Sequence, residues 1–417
     1  MRLFPSRHRL LRAKDRHFCP LEFAQPAPRL LPWSRVKSLG LGTGLAGWLV
    51  LTTPRLLRAD NSLSYKYEDY SEAGGRIAVR TQSALLEQDL RADVRIKVEG
   101  VVDAIAGATP NGQPAPAGSD QVVLSQMHDR RTAWSADVSD QFPRTNLALG
   151  LARSHESDYT STGWSVNTVT DFNQKNTTRL AGVAGTDDEV KVFYQPAWVK
   201  KRTNDLIIGL TQLLSPRTAV ALNLAWGHAA GYLADPYKLV EKSLEVAPGV
   251  FLPFTYGENR PDSRDKWTVR ASLNQAFPDL HGAFEASYRR YHDTFGTNAD
   301  TVELSWLQGF GDHFLLQPEL RLYDQGAADF YHYRLDLTSI MPSGGPPDPQ
   351  GPFYSSDYRL SALRSSTYGL KAIWKATARL QLDLTLAQYE MRGRDGITPQ
   401  SAFPRASIVT AGLRLSW

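Results

Sequence analysis

Residues 407–417 read SIVTAGLRLSW. Val409, Ala411, Leu413, Leu415 and Trp417 fall on one face of an extended chain, and Thr410, Gly412, Arg414 and Ser416 on the other. This period of two predicts a strand with one apolar and one polar side. The alternation runs to a bare terminal Trp. An exposed strand edge invites pairing with other chains. A closed membrane barrel removes the edge by pairing its last strand with its first. On this stretch alone, the last strand of a soluble β-domain is the competing reading.

The same pattern recurs upstream. Residues 89–103 read DLRADVRIKVEGVVD. Leu90, Ala92, Val94, Ile96, Val98, Gly100 and Val102 take one face; Asp89, Arg91, Asp93, Arg95, Lys97 and Glu99 take the other. No helix separates charges from aliphatics this way. A barrel would turn the aliphatics to lipid and make Arg91, Asp93, Arg95, Lys97 and Glu99 a lumen wall. Further alternating stretches span 62–69, 76–86, 131–140, 145–156, 160–172, 177–186, 202–213 and 218–231. Others span 265–275, 282–291, 300–307, 313–324, 366–376 and 381–391. With 89–103 and 406–417 this predicts an all-β chain of about 16 strands, within a range of 14–18. An even count returns both chain ends to one side.

Connection length alternates as well. Short links such as QFPR at 141–144, LSPR at 214–217 and AFPD at 276–279 place Pro where it presets a tight turn. Long links, at 104–130, 187–201, 228–264, 325–365 and 392–405, are rich in Gly, Pro, Asp and Tyr. Short periplasmic turns opposite long outer loops are the pattern of an up-and-down transmembrane barrel. Trp134, Trp164, Trp226, Trp267, Trp306, Trp374 and Trp417 lie in or near strand ends, where interface girdles belong.

Composition agrees. Mean hydropathy is −0.36, and no run reaches the ~20 apolar residues of a spanning helix. Residues 1–59 hold 11 of the 47 Lys/Arg and 2 of the 43 Asp/Glu, so the remainder has a net charge of −5. Bulk charge gives a nucleic-acid partner no support. Cys19 is the only cysteine, which leaves no disulfide framework or Cys-ligated metal beyond it. Residues 39–53, LGLGTGLAGWLVLTT, follow Arg35 and Lys37 and precede small Ala59. This layout predicts a secretory signal cleaved near Ala59, with 60–417 as the barrel. The basic extension at 1–34 is longer than such signals carry.

Residues 410–417 resemble the assembly signal of bacterial outer-membrane barrels, with Thr410, Gly412, Leu415 and Trp417 at its positions. The resemblance implies docking to the barrel-assembly machinery through the last strand, and outer-membrane lipid as surroundings. The loop regions are similar to the "domain of unknown function 3570" family of outer-membrane barrels. The similar stretches are DAIAGATP (103–110), GYLADPYK (231–238), NRPDSR (259–264), YRRYHDTFG (288–296), RLYDQGAADFY (321–331) and SDYRLS (356–361). The family implies an outer-membrane barrel with no established activity. It also implies, as an alternative to solute passage, a non-conducting barrel that anchors or docks periplasmic redox, flavin-linked or maturation proteins.

These stretches supply a candidate vestibule network: Asp103, Asp235, Tyr237, Arg260, Asp262, Arg264, Tyr288, Arg289, Tyr291, Asp293, Tyr323, Asp329, Tyr331, Asp357 and Arg359. Arg–carboxylate forks and tyrosine hydroxyls can tie loops into a cap, or line a solute path. Enzyme signatures are missing: no Gly-x-Ser-x-Gly, no His-Glu-x-x-His, no phosphate loop. Ser154 beside His155 is the one thin hydrolase candidate, and 187–189 (DDE) and Asp348 are weak calcium candidates without EF-hand spacing. The sequence reading is a porin-like passage barrel without catalysis or cofactor.

Overall fold

The structure, a computed structural model, describes residues 61–417 except 193, 337 and 343. The predicted leader and the cleavage site near Ala59 lie outside the described residues.

Sixteen strands close into one antiparallel barrel. In chain order they begin with β1 (Ser62–Glu72), β2 (Ala78–Asp89), β3 (Val94–Pro110), β4 (Leu124–Gln141), β5 (Thr145–His155) and β6 (Tyr159–Phe172). Next are β7 (Thr177–Lys191), β8 (Trp198–Ser215) and β9 (Thr218–Gly231). A separate two-stranded hairpin follows, β10 (Leu239–Ala247) with β11 (Val250–Gly257). The barrel resumes with β12 (Ser263–Phe277), β13 (Gly282–Asp293), β14 (Asn298–Phe310), β15 (Phe314–Gln325), β16 (Leu363–Lys375), β17 (Leu380–Gly393) and β18 (Arg405–Ser416). Strands β1 and β18 pair from Ser62↔Ser416 to Glu72↔Ala406, which closes the sheet.

The predicted stretches fall on barrel strands, except that 89–103 starts at the end of β2 and crosses the turn 90–93 before entering β3. Several strands run further than alternation indicates. β3 and β4 stay paired up to Pro110↔Leu124, so the expected loop 104–130 shrinks to 111–123. Main-chain pairing continues beyond the lipid-facing part because loop-side strands have each other as partners. The hairpin β10–β11 was not expected.

The barrel is apolar outside. Exposed Val138, Leu149, Leu151, Leu206, Ile208, Leu222, Leu224, Leu384 and Leu386 belong to a belt that Val183, Val269, Leu322, Leu370 and Val409 carry onto other strands. Trp134, Trp164, Trp226 and Trp267 rim it toward the loops, and Phe142, Phe277, Phe310, Phe314, Trp374 and Trp417 rim it toward the turns. An apolar belt of this extent between two aromatic rims fits a bilayer's hydrocarbon layer, not water. The buried apolar clusters lie elsewhere, among the loops. They are centred on Val122–Tyr358–Leu363–Phe403, on Phe295–Phe330–Tyr331–Leu360, and on Val240–Leu335–Tyr354.

Candidate functional site

The long loops fold into a cap with its own core. In barrel order the β3–β4 loop and the β9–β12 link stand nearly opposite each other, with the β15–β16 link between them on the far side. All three meet. Leu239 N–H donates to Asn111 O (2.8 Å), and Lys238 Nζ donates to Pro110 O (2.5 Å). Ser356 Oγ donates to Gly112 O (2.9 Å), and Ala115 N–H donates to Tyr333 Oη (3.1 Å). Lys242 Nζ ties the hairpin to Leu335 O and Thr338 O (3.0 and 2.9 Å). The short bridge Asn259↔Tyr354 stitches the β9–β12 and β15–β16 links together, and Tyr331↔Ser355 folds the β15–β16 link onto itself. The cap therefore spans the loop-side mouth of the barrel.

Its centre is charged. Arg260 Nε pairs with Glu258 Oε1 (2.7 Å), and its Nη2 donates to Asp357 Oδ2 (2.9 Å). Arg359 forks onto Asp357 and reaches Asp235 Oδ2 (2.8 Å). Ser355 Oγ donates to Glu258 Oε2 (2.5 Å), and the Asp235 N–H donates to Glu258 Oε1. Tyr237 N–H donates to Asp235 Oδ1 (3.0 Å), and its hydroxyl donates to Asp158 of the β5–β6 turn. Fully buried Lys238 faces the Tyr358 ring at 5.7 Å.

Burial pushes the Glu258 carboxyl up to about 7, although Arg260 pulls it down. Burial acts on Asp357 in the same direction, yet Arg359, Lys238 and Arg260 together hold it well below the usual carboxylate range. Burial lowers the Lys238 amine. Three carboxylates and three cations balance here. Transferring a proton from Lys238 to Glu258 would keep that balance, which is why burial can push both toward their neutral forms.

A second group sits beside it. Asp293, with no exposed surface, accepts from Arg264 Nε (2.9 Å), Tyr291 Oη (2.6 Å) and the Phe295 and Thr297 N–H groups (3.0 Å each). Arg264 lies over the Phe295 ring at 4.5 Å. Tyr331 is buried and shares a hydrogen bond with Thr398 (2.5 Å).

The predicted vestibule residues thus divide. Asp235, Tyr237, Arg260, Asp357 and Arg359 meet in one cluster, and Arg264, Tyr291 and Asp293 in the second. Asp103 lies lower, on the barrel wall, bound by Arg131 Nε (2.6 Å) and Thr81 Oγ1 (2.6 Å). Arg289 and Tyr323 also face the lumen, joined through Thr301 in the cross-strand register. Three expectations need correction. Tyr288 points to the outer face, where it bonds Asp300 (2.5 Å), because 288 and 289 take opposite sides of a strand. Asp262 is exposed and contributes only its carbonyl, to Gly231 N–H (2.8 Å). Asp329 is exposed and packs against Gly296 at the cap edge. Glu258 and Lys238, central to the cluster, were missed. Lys238 ends the stretch GYLADPYK, and Glu258 directly precedes NRPDSR, so both lay within one residue of a recognised motif.

On the wall, Arg95 approaches Glu87 (3.9 Å) and Asp89 (3.6 Å), and Lys97 stands opposite Asp137. Glu99 shares this lumen face. Arg91 and Asp93 do not: they lie in the turn 90–93 before β3 begins at Val94. In the terminal strand, Thr410 and Gly412 face the lumen, where Asp383 fills the space a Cβ on Gly412 would take, while Leu415 and Trp417 are exposed on the outer face. Buried Ser154 and exposed His155 take opposite faces of β5. Among the described residues no cluster of three His, Cys, Asp or Glu has metal-binding geometry.

The model of a protein family described as "Protein of unknown function (DUF3570)" matches residues 49–199 and 193–402. The chain belongs to this family. A search of curated proteins finds no match. Solved structures similar to this DUF3570 barrel include a bacterial polysaccharide outer membrane secretin, at 9% identity and TM-score 0.46, covering 86% of this chain and 98% of that one. The outer membrane protein OpdK from Pseudomonas aeruginosa is similar at 9% identity and TM-score 0.42, covering 87% and 100%. The ferric enterobactin receptor PfeA is similar at 12% identity and TM-score 0.41, covering 85% and 60%. By its closed sheet and lipid-facing belt, this DUF3570 member is a β-barrel of the outer-membrane type.

Proposed function

We propose that this barrel resides in the bacterial outer membrane and gives small solutes or ions a porin-like passage, without catalysis. The observation that carries the reading is the inverted wall: aliphatic and aromatic side chains outside, and Lys66, Glu68, Arg95, Lys97, Glu99, Arg270, Glu303 and Arg321 inside. A charged lumen wall suits water and solute, and mixed charge sets selectivity. The proposed export route is removal of the leader near Ala59 and delivery to the assembly machinery through Thr410, Gly412, Leu415 and Trp417.

A second reading is favoured by the cap. Loops with a hydrophobic core and buried ion pairs across the mouth suit a non-conducting barrel that docks a periplasmic redox or maturation partner at its turn side. Single-channel conductance of the chain purified from membranes separates the two. Steady openings, altered when Arg95 and Lys97 are neutralised, support passage. A silent bilayer, from protein shown to be folded by heat-modifiable gel mobility, rejects passage.

A further inference from the structure

Strands β12 to β17 present their lumen faces in register. In one row Arg270 opposes Arg289, Arg289 opposes Thr301, and Thr301 opposes Tyr323. In the next row toward the turns, Ser287 opposes Glu303, Glu303 opposes Arg321, Arg321 opposes Thr367, and Thr367 opposes Tyr389. On these strands the two rows carry three guanidiniums against one carboxylate. Glu303 is shared by two of them, Arg270 Nη2 (3.2 Å) and Arg321 Nε (3.5 Å). Arg289 is left with Thr301 Oγ1, a neutral acceptor at 3.2 Å, and no carboxylate in ion-pair range among the described residues.

Placing Arg289 directly across from Arg270 costs the sheet stability, since opposed like charges repel. Arg321 lies over the Tyr323 ring at 5.5 Å. Above the rows, Arg264 is already occupied by Asp293. Below them, Glu285 and Glu319 face the lumen one row further toward the turns, so the surplus of positive charge is local to this height. A guanidinium presents parallel N–H donors that match the two oxygens of a carboxylate or the edge of a phosphate.

We infer that Arg289, flanked by Arg270 and Arg321, binds the oxyanion of a small solute, a carboxylate or a phosphate; the Tyr323 hydroxyl is taken up by Gln325 (2.6 Å). This deepens the passage reading by naming the charge class of solute, but binding itself does not need conduction.

The test is calorimetric titration of the full chain, purified folded from membranes, with benzoate and with inorganic phosphate. Saturable binding is expected for at least one, and which one binds identifies the oxyanion. Affinity is expected to fall at least tenfold in Arg289→Gln and in Arg321→Gln. It is expected to stay unchanged in Arg290→Gln, whose side chain pairs with Asp300 on the outer face. Absence of binding by both anions overturns the inference, as does wild-type affinity in Arg289→Gln. Should Arg289→Gln fail to give the folded gel band, wild-type affinity in Arg321→Gln overturns it equally. A silent bilayer with anion binding intact would reject the passage reading and leave the site standing.

Discussion

Glu258 is a cap side chain whose protonation changes near neutral pH. Its ordinary value is 4.5, and burial in the cap raises it to about 7. The folded cap therefore holds a proton between pH 4.5 and 7 that the opened cap releases. The resulting stabilisation is complete below about 4.5 and lost as pH rises through about 7. A shift of this size corresponds to something on the order of 3 kcal/mol. Arg260, Asp235, Asp357, Arg359, Lys238 and Ser355 surround the carboxyl, and Asp357, held far below the usual range, does not titrate in that window. Protection of the Asn259 and Tyr354 amides, which are paired across the cap, should be greater at pH 5 than at pH 8 once the intrinsic pH effect is divided out. In Glu258→Gln the exchange rates at the two pH values should differ only by the intrinsic pH effect, and an unaltered pH dependence there would refute the assignment. Residue-level roles were only partly legible. YRRYHD supplied both Tyr288 and Tyr291, and parity alone sends 288 outward and 291 inward. Glu258 and Lys238 lay in or beside recognised motifs, but their burial was not legible there, because it comes from segments more than 90 residues away.

At the scale of elements, period-two alternation located every barrel strand, because each has one face in lipid and one in the lumen. It failed where that condition ends. The alternation of DLRADVR carries on through a turn, so Arg91 and Asp93 were assigned to a wall they do not reach. Above the lipid belt, strand continuation depends on main-chain pairing, which leaves no hydrophobic period, and β3, β4 and β7 were read short. Gly107 lies in that upper part of β3. Its φ is +124°, and a Cβ there would stand 2.1 Å from Arg76 O. Gly107→Ala should destabilise the junction of β3 with the β1–β2 turn by about 1–3 kcal/mol, seen as a lower urea midpoint of the refolded barrel. An unchanged midpoint would mean the junction yields freely.

For the whole molecule, the architecture inverts that of a water-soluble domain. Its oily side chains face outward along the wall, and its packed apolar clusters sit above the barrel, in the loops. The wall was legible from pattern and loop-length alternation. The cap was legible only as loops that Arg–carboxylate forks could tie together; its particular pairings were not, because they join loops far apart in sequence. The closure of the sheet has a further consequence. Trp417 N–H donates to Asn61 O (3.0 Å), so the first and last described residues are already joined through space. The barrel is a ring whose starting point is arbitrary. A circularly permuted chain, with Trp417 linked to Asn61 and new ends opened in the 142–144 turn, should refold in detergent to the same heat-modifiable band. In cells the same permutant should assemble poorly, since 410–417 would then sit mid-chain. Equal assembly of both forms would show that the cell reads the closed sheet and not the terminal motif.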